Sequence, residues 1–495
     1  MSFCLKTGWK QLASLISVVA LLSLLTAMWP NGETSVFATT PSQSELSIGT
    51  NQTYLPILMN RYDTTLGTPI FGVQTYGNTL PSNKYFEHMI DSGTTWVRVP
   101  VMWRSAEPER LDPPKQYNWS SIDNALSAAR ADRGNLKIVA TITHAPEWAA
   151  PGIKAPIYDH ALDDFVMFVE ALVRRYNGDG IDDAPGSPVV THWEFYNEPD
   201  AGERPGDLRW GESGDQYANM LAAVYPAVKA ANPQAQVVFG GLAYDWFQDQ
   251  GGPFVREFLD DVLAAGGGNY FDIMNFHSYP AFSSNWTGQM GTNGPGLLEK
   301  ANFIRNKMEN EYGVFKPMIN TEAGWRSNST PTSPSNEDIQ ARYVVQLFAQ
   351  SYAANLDLMI WWMLYDPGGG YQDYGLVTRD DEPVRKLSFT VYQNMVEEMS
   401  TTHFTRRLPL AETGHERMEV YQFNDWVKQR TLYVAWLNPV NGNQTQPLQL
   451  PTAVATIKSM EGNVIGVVAD GDDGIIDGYV TIDVGSRPIY IEANH

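Results

Sequence analysis

At 495 residues with 43% hydrophobic content, the chain is long enough to bury one large core and a second smaller one. Its formal net charge of -22 works against nucleic acid or an anionic membrane as partner, because both would be repelled, whereas a neutral substrate is indifferent to it. The 15 Trp and 24 Tyr supply rings that fill cores and also stack on sugar faces.

The N-terminus reads as an export signal. Lys6 and Lys10 precede an apolar stretch, Leu12 to Met28, followed by the small-residue cleavage pattern Val36-Phe37-Ala38. Residues 1–38 are therefore expected to be a signal peptide, with an uncleaved membrane anchor as the alternative, since the apolar stretch is long and Glu33 follows it. No later segment is apolar enough to span a bilayer, so no membrane contact is expected after cleavage. The one cysteine, Cys4, lies before the apolar stretch, so the mature protein is expected to fold without disulfides.

Residues 39–66 form a linker rich in Ser, Thr and Gln over Thr39 to Thr53. Short apolar runs then recur: Ile70–Gln74, Trp96–Val101, Lys137–Thr143, His192–Tyr196, Val237–Gly241, Ile273–Phe276, Pro317–Thr321 and Leu358–Leu364. Between them lie segments with apolar residues at helical spacing, such as Gln216 to Ala231, Leu297 to Glu311 and Asp338 to Ala354. Strands alternating with helices require crossover connections and a parallel sheet covered on both faces. Eight such units over residues 67–399 predict a (β/α)₈ TIM barrel. A doubly wound sheet is the alternative, but no G-x-G-x-x-G follows any run.

From residue 400 to 495 the pattern changes to short strands, Leu432–Trp436, Ala455–Ser459, Val464–Val468, Tyr479–Val484 and Arg487–Glu492. Turn clusters such as Asn441-Gly442-Asn443 and Asp472-Asp473-Gly474 separate them, which predicts a C-terminal antiparallel β-sandwich.

Chemistry in a barrel sits at the C-terminal ends of the strands. The fourth run ends in "THWEFYNEPD", placing Glu198 on that rim, and the seventh ends in "MINTEAGW", placing Glu322 there too. The alternatives for Asn197-Glu198-Pro199 are a helix N-cap and a solvated turn. Strands four and seven face each other, so two inward Glu side chains can flank one ligand, as glycoside hydrolysis needs.

With Asn197-Glu198-Pro199 on strand four and a Glu three strands later, the chain resembles the retaining glycoside hydrolases with (β/α)₈ barrels, clan A. Its layout is most similar to family 39, which pairs a barrel with a β-sandwich, and less closely to family 5. The resemblance covers the whole chain after the linker. It implies an oligo- or polysaccharide substrate, no cofactor, Glu198 as general acid/base and Glu322 as nucleophile. Asn197 would bond the sugar's 2-hydroxyl. Tyr279, in "NFHSYP", would hold Glu322 ionised beside His277, and Arg98, in "WVRVPV", would keep its pKa low. His144, in "THAPEWA", would contact a sugar hydroxyl. In "IWWMLYD", Trp362 rather than Trp361 is expected under the reacting sugar, with Trp148 and Trp325 at outer subsites. The alternatives are a structural ion pair for Arg98, core positions for the histidines, and core packing for the tryptophans.

Other motifs carry less. "DSGTT" at Asp91 to Thr95 imitates an aspartic-protease loop without the second loop that chemistry requires. Phe86, Met89 and Ile90 there read as a helix face with Gly93 as its stop. Asn177, Asp179, Asp182 and Asp183 imitate a calcium loop but lack its ligand spacing and terminal Glu. No H-E-x-x-H, C-x-x-C or G-x-S-x-G occurs, so no metal site or serine nucleophile is indicated. Two rival functions remain, a non-catalytic sugar-binding or cell-surface protein and a transglycosylase with the same two carboxylates.

Overall fold

The computed structural model describes residues 70–494 apart from 77–82, 131–135, 205–207, 288–293, 332 and 369–371. The expected signal peptide and linker lie outside the described residues, and no helix among the described residues is long and apolar enough to cross a membrane.

The expected strands are present as β1 (Phe71–Gln74), β2 (Trp96–Met102), β3 (Lys137–Thr143), β4 (His192–Phe195), β5 (Gln236–Val238), β6 (Met274–Ser278), β7 (Met318–Ala323) and β8 (Leu358–Trp361). They run parallel in the order β5-β4-β3-β2-β1-β8-β7-β6. Parallel bridges Val238–Ile273 and Leu242–Phe276 join the two ends, which closes the sheet into a barrel. These strands are buried on both faces, which is why they appear in the sequence as continuous apolar runs. Trp96, Val139, Val238, Ile273, Ile319, Leu358 and Ile360 fill the barrel interior as a separate apolar cluster. The polar layer described below lies above that plug.

The helical segments fall where periodicity places them, at Gly214–Ala231, Leu297–Asn306 continued by a π-helical turn Lys307–Glu311, and Glu337–Ala353. Phe86–Asp91 is a helix with Met89 buried, and Gly93 takes φ +77° just after it, a left-handed stop that favours glycine.

The C-terminal region holds β9 (His403–Arg407), β10 (Met418–Asp425), β11 (Arg430–Leu437), β12 (Gln446–Leu450), β13 (Val454–Ser459), β14 (Val464–Ala469), β15 (Val480–Val484) and β16 (Ile489–Asn494). Six form one antiparallel sheet, β14-β13-β16-β11-β10-β9, and β12 pairs with β15. Along β11 the period of two is visible in what each face meets. Tyr433, Ala435 and Leu437 share a core with Leu448, Leu450, Ile482 and Val484 of the two-stranded sheet. Leu432, Val434 and Trp436 join the barrel's outer core. The larger sheet is thus the middle layer between barrel and small sheet.

Candidate active site

Along β4, Trp193 and Phe195 face the surrounding helices, whereas His192 packs edge-on against Trp96 of the interior and Glu194 meets Arg98. The ladder to β3 persists through Tyr196, whose N–H donates to Ile142 O at 2.8 Å. Alternation then stops, because Tyr196 and Glu198 take φ of 66° and 49°. Each such residue with a Cβ costs on the order of 1 kcal/mol, so the turn needs firm anchors. They are visible: Glu198 N–H donates to Gly241 O at 3.0 Å, and Asp200 accepts from the N–H groups of Ala243 and Tyr244 at 3.0 and 2.7 Å. Burial pushes the Asp200 carboxyl up to about 7, with the two backbone donors opposing it and Glu198 adding to the rise. Among the described residues the next helix after this turn is Gly214–Ala231, so Asn197-Glu198-Pro199 caps no helix. Nor is Glu198 simply solvated, because its side chain is 26% exposed and faces a cavity.

Arg98 lies across the barrel from β2, 2% exposed. Its Nε and Nη2 donate to the two oxygens of Glu194, both at 2.7 Å, and Nη1 donates to Glu322 Oε1 at 2.5 Å and Gln74 Oε1 at 2.8 Å. Burial disfavours the charged guanidinium, but Glu194 and Glu322 more than offset this and raise its pKa. The other oxygen of Glu322 accepts from Tyr279 Oη at 2.8 Å. Asn197 Oδ1 accepts from Arg98 Nη2 at 2.7 Å, which leaves Nδ2 as the donor for a ligand.

His277 joins the two rim carboxylates. Its Nδ1 is 3.2 Å from Glu198 Oε1 and 3.7 Å from Glu322 Oε2, while Nε2 is 3.2 Å from Thr321 Oγ1. A side chain on Gly241 would overlap this imidazole, which explains a glycine at that point. Burial pushes the Glu198 carboxyl up, yet the hydrogen bond and charge of His277, then Lys154 and Arg98, hold it below the ordinary value. Oxygens of Glu198 and Glu322 and a His277 nitrogen all lie within 4.8 Å of one another. Both oxygens of Glu322 are already engaged, one by Arg98 and the other by Tyr279.

A cavity of about 490 Å³ opens above this centre, lined by Glu198, Asp245, Tyr279, Trp362 and Tyr374 among others. Trp362 donates from Nε1 to Tyr76 Oη at 3.3 Å and meets Tyr374 edge-on at 4.9 Å. Trp361 is fully buried. His144 takes φ 57° after β3, and burial, with Lys154 and Arg104, lowers its pKa to about 4, so its ring is neutral at pH 7. The Nδ1 of His144 has no partner among the described residues. Trp325 is 7% exposed and packs on Tyr343, and Trp148 packs on Trp103, so neither ring lines the cavity.

Three features went unread in the sequence. Glu194 is fully buried and accepts from Arg98, Thr141 Oγ1 and Gly241 N–H. Gln74 bonds Arg98. Buried Lys300 donates to Asp245 at 2.6 Å and to His277 O at 2.7 Å. The available signal for Glu194 was a charge at an inward register of an apolar strand. In the loop that imitates a calcium site, Asp179 and Asp183 accept from the N–H groups of Ile181 and Gly180.

The profile of Cellulase (glycosyl hydrolase family 5) matches residues 60–367. A curated relative, "Probable glucan 1,3-beta-glucosidase A" of Emericella nidulans, is 29% identical over 154 residues, 30% of this chain and 35% of the relative, so the match spans about a third of that protein. A family 39 glycoside hydrolase from the gut symbiont Bacteroides cellulosilyticus WH2 superposes with a TM-score of 0.61 at 19% identity, covering 86% of this chain and 81% of its own. A glucosidase from Croceicoccus marinus gives 0.56 at 17% identity, covering 86% and 96%. At these identities the structures show a shared fold.

Proposed function

The chain belongs to glycosyl hydrolase family 5 and is a glycosidase of the clan A fold; from that premise we propose that it is an exported retaining enzyme. One observation carries the stereochemical part. One oxygen of Glu198 and one of Glu322 lie within 4.8 Å of each other, a close approach that favours a retaining pair over the wider spacing that admits an inverting water.

In this reading Glu322 attacks the anomeric carbon while Glu198 protonates the departing oxygen, leaving a glycosyl ester on Glu322. Water then enters, Glu198 takes its proton, and the ester bond breaks. Arg98 and Tyr279 each donate a hydrogen bond to one oxygen of Glu322 and so hold it aimed. Asn197 Nδ2 donates to the 2-hydroxyl, His144 meets another hydroxyl, and Trp362 forms the apolar floor. Glu198 needs a proton although His277 holds its pKa low. A sugar that fills the cavity excludes water and strengthens the burial effect, which favours the neutral acid.

The printed name of the fungal relative makes β-linked glucans the first substrates to assay. We take residues 1–38 as the signal peptide, 39–66 as the linker, 67–399 as the catalytic barrel and 400–495 as the sandwich. The test is proton NMR of the first-formed sugar during hydrolysis of an aryl β-glycoside. A β-anomer supports retention and an α-anomer contradicts it.

A further inference from the structure

The charged groups lining the cavity are unequally satisfied. Glu198 has His277 at 3.2 Å and Asp245 has Lys300 at 2.6 Å. Arg326 lines the same cavity, is 4% exposed, and forms no ion pair with any described residue. Its Nη2 donates to Ser333 O at 2.9 Å, its guanidinium stacks 4.5 Å from the Trp325 ring centroid, and its Nε has no partner among the described residues. Other buried arginines here are treated differently: Arg98 meets Glu194 and Glu322, and Arg430 meets Glu398 and Asp425. A peptide oxygen, the Tyr374 phenol and a ring orient a guanidinium without neutralising it, and a buried cation is costly without an anion.

The neighbours set the place. Tyr374 shares the cavity wall, and its ring lies 4.9 Å from Trp362 and 6.0 Å from Tyr279, which bonds Glu322. Burial raises the Tyr374 phenol and the Arg326 charge pulls it back, so the two groups adjoin. Arg326 is thus one ring further out than the groups around Glu322. Gln372, also on this wall, has a buried Oε1 with no partner among the described residues. A donor-rich cation beside an open acceptor matches a sugar that carries both an anionic group and hydroxyls.

We infer that Arg326 recognises a carboxylate on the sugar beside the reacting one, so the substrate class is an acidic, uronate-bearing oligo- or polysaccharide. This rests on the glycosidase reading. Arg suits the task because its planar fork meets a carboxylate with two parallel hydrogen bonds. The net charge of -22 does not forbid it, because charges beyond about 8 Å are largely screened at physiological salt.

The test is calorimetric titration of the full chain and of its Arg326→Gln and Arg326→Lys variants with D-glucuronate, D-glucose and glucose 6-sulfate. Melting curves check folding, and hydrolysis of a neutral aryl β-glucoside is measured in parallel. Expected is at least tenfold tighter binding of glucuronate than of glucose, a preference erased by Arg326→Gln and partly kept by Arg326→Lys. A preference for the sulfate over the carboxylate overturns the uronate assignment. Equal binding of glucose and glucuronate, or the same preference in Arg326→Gln, overturns the inference even if the aryl glucoside is cleaved. Arg326-dependent glucuronate binding without cleavage of the aryl β-glucoside supports the anion site and counts against the glycosidase reading instead.

Discussion

Glu194 receives Arg98 through two parallel hydrogen bonds, both 2.7 Å long, on strands β4 and β2 that are not neighbours in the sheet. That leaves Nη1, the third guanidinium nitrogen, for Glu322. One buried carboxylate therefore fixes the cation that aims the other.

Replacing Glu194 tests this directly. Glu194→Gln breaks a buried charge pair, which costs about 3–5 kcal/mol where the remaining charge is poorly compensated. A lower melting temperature is expected together with a fall in kcat larger than any rise in KM, because Glu194 touches no sugar. Unchanged kcat in a folded variant would show that Arg98 needs no such anchor.

Removing His277 should move a pH limb. In the free protein Glu198 is held below the ordinary carboxyl value, so kcat/KM on a poor leaving group falls as pH rises through that low pKa. His277→Ala removes the first group opposing burial, so the limb should shift to higher pH. By the same sign, a depressed carboxyl adds stability above its unfolded pKa that is lost as pH falls through the folded one, and the variant loses that contribution. A limb that stays in place sinks this account of His277.

The adjacent tryptophans should separate. Trp361 is fully buried, so Trp361→Ala should cost about 3–5 kcal/mol of stability. Trp362 lines the cavity, so Trp362→Ala should mainly reduce kcat/KM, by tenfold or more, with a smaller change in melting temperature. The opposite pattern in either variant contradicts the assignment.

Much of this was legible because parallel barrel strands are buried on both faces and stand out as apolar runs, as β3 and β8 do. Three tail strands were not legible, each for a physical reason. β9 is an exposed edge, His403–Arg407, with two arginines; β12 carries Pro447 in a two-stranded sheet; β10 interleaves Glu419, Gln422 and Asn424 with its apolar positions. Glu194 escaped notice because the interior of an apolar run reads as packing. Its partner, Arg98, is distant in sequence, and only the closed barrel brings them together. Trp325 shows the converse, a ring beside a rim residue that turned into the core.

The middle sheet predicts a dependence between regions. Phe423, Leu432, Val434 and Trp436 pack into the barrel's outer core, and Phe423 meets Tyr352 edge-on at 5.4 Å. A chain ending at residue 399 would expose that face, so it should aggregate or melt well below the full chain. A soluble, equally stable barrel fragment would contradict this.

The central claim is that Glu322 carries the covalent intermediate and Glu198 does not. Incubation with an activated 2-fluoro glycoside slows both steps by destabilising the oxocarbenium-like transition states, so the ester accumulates. Peptide mass spectrometry after digestion should then find one glycosyl label, on Glu322. A label on Glu198, or no label on a protein that turns the same compound over with inversion, would contradict the account.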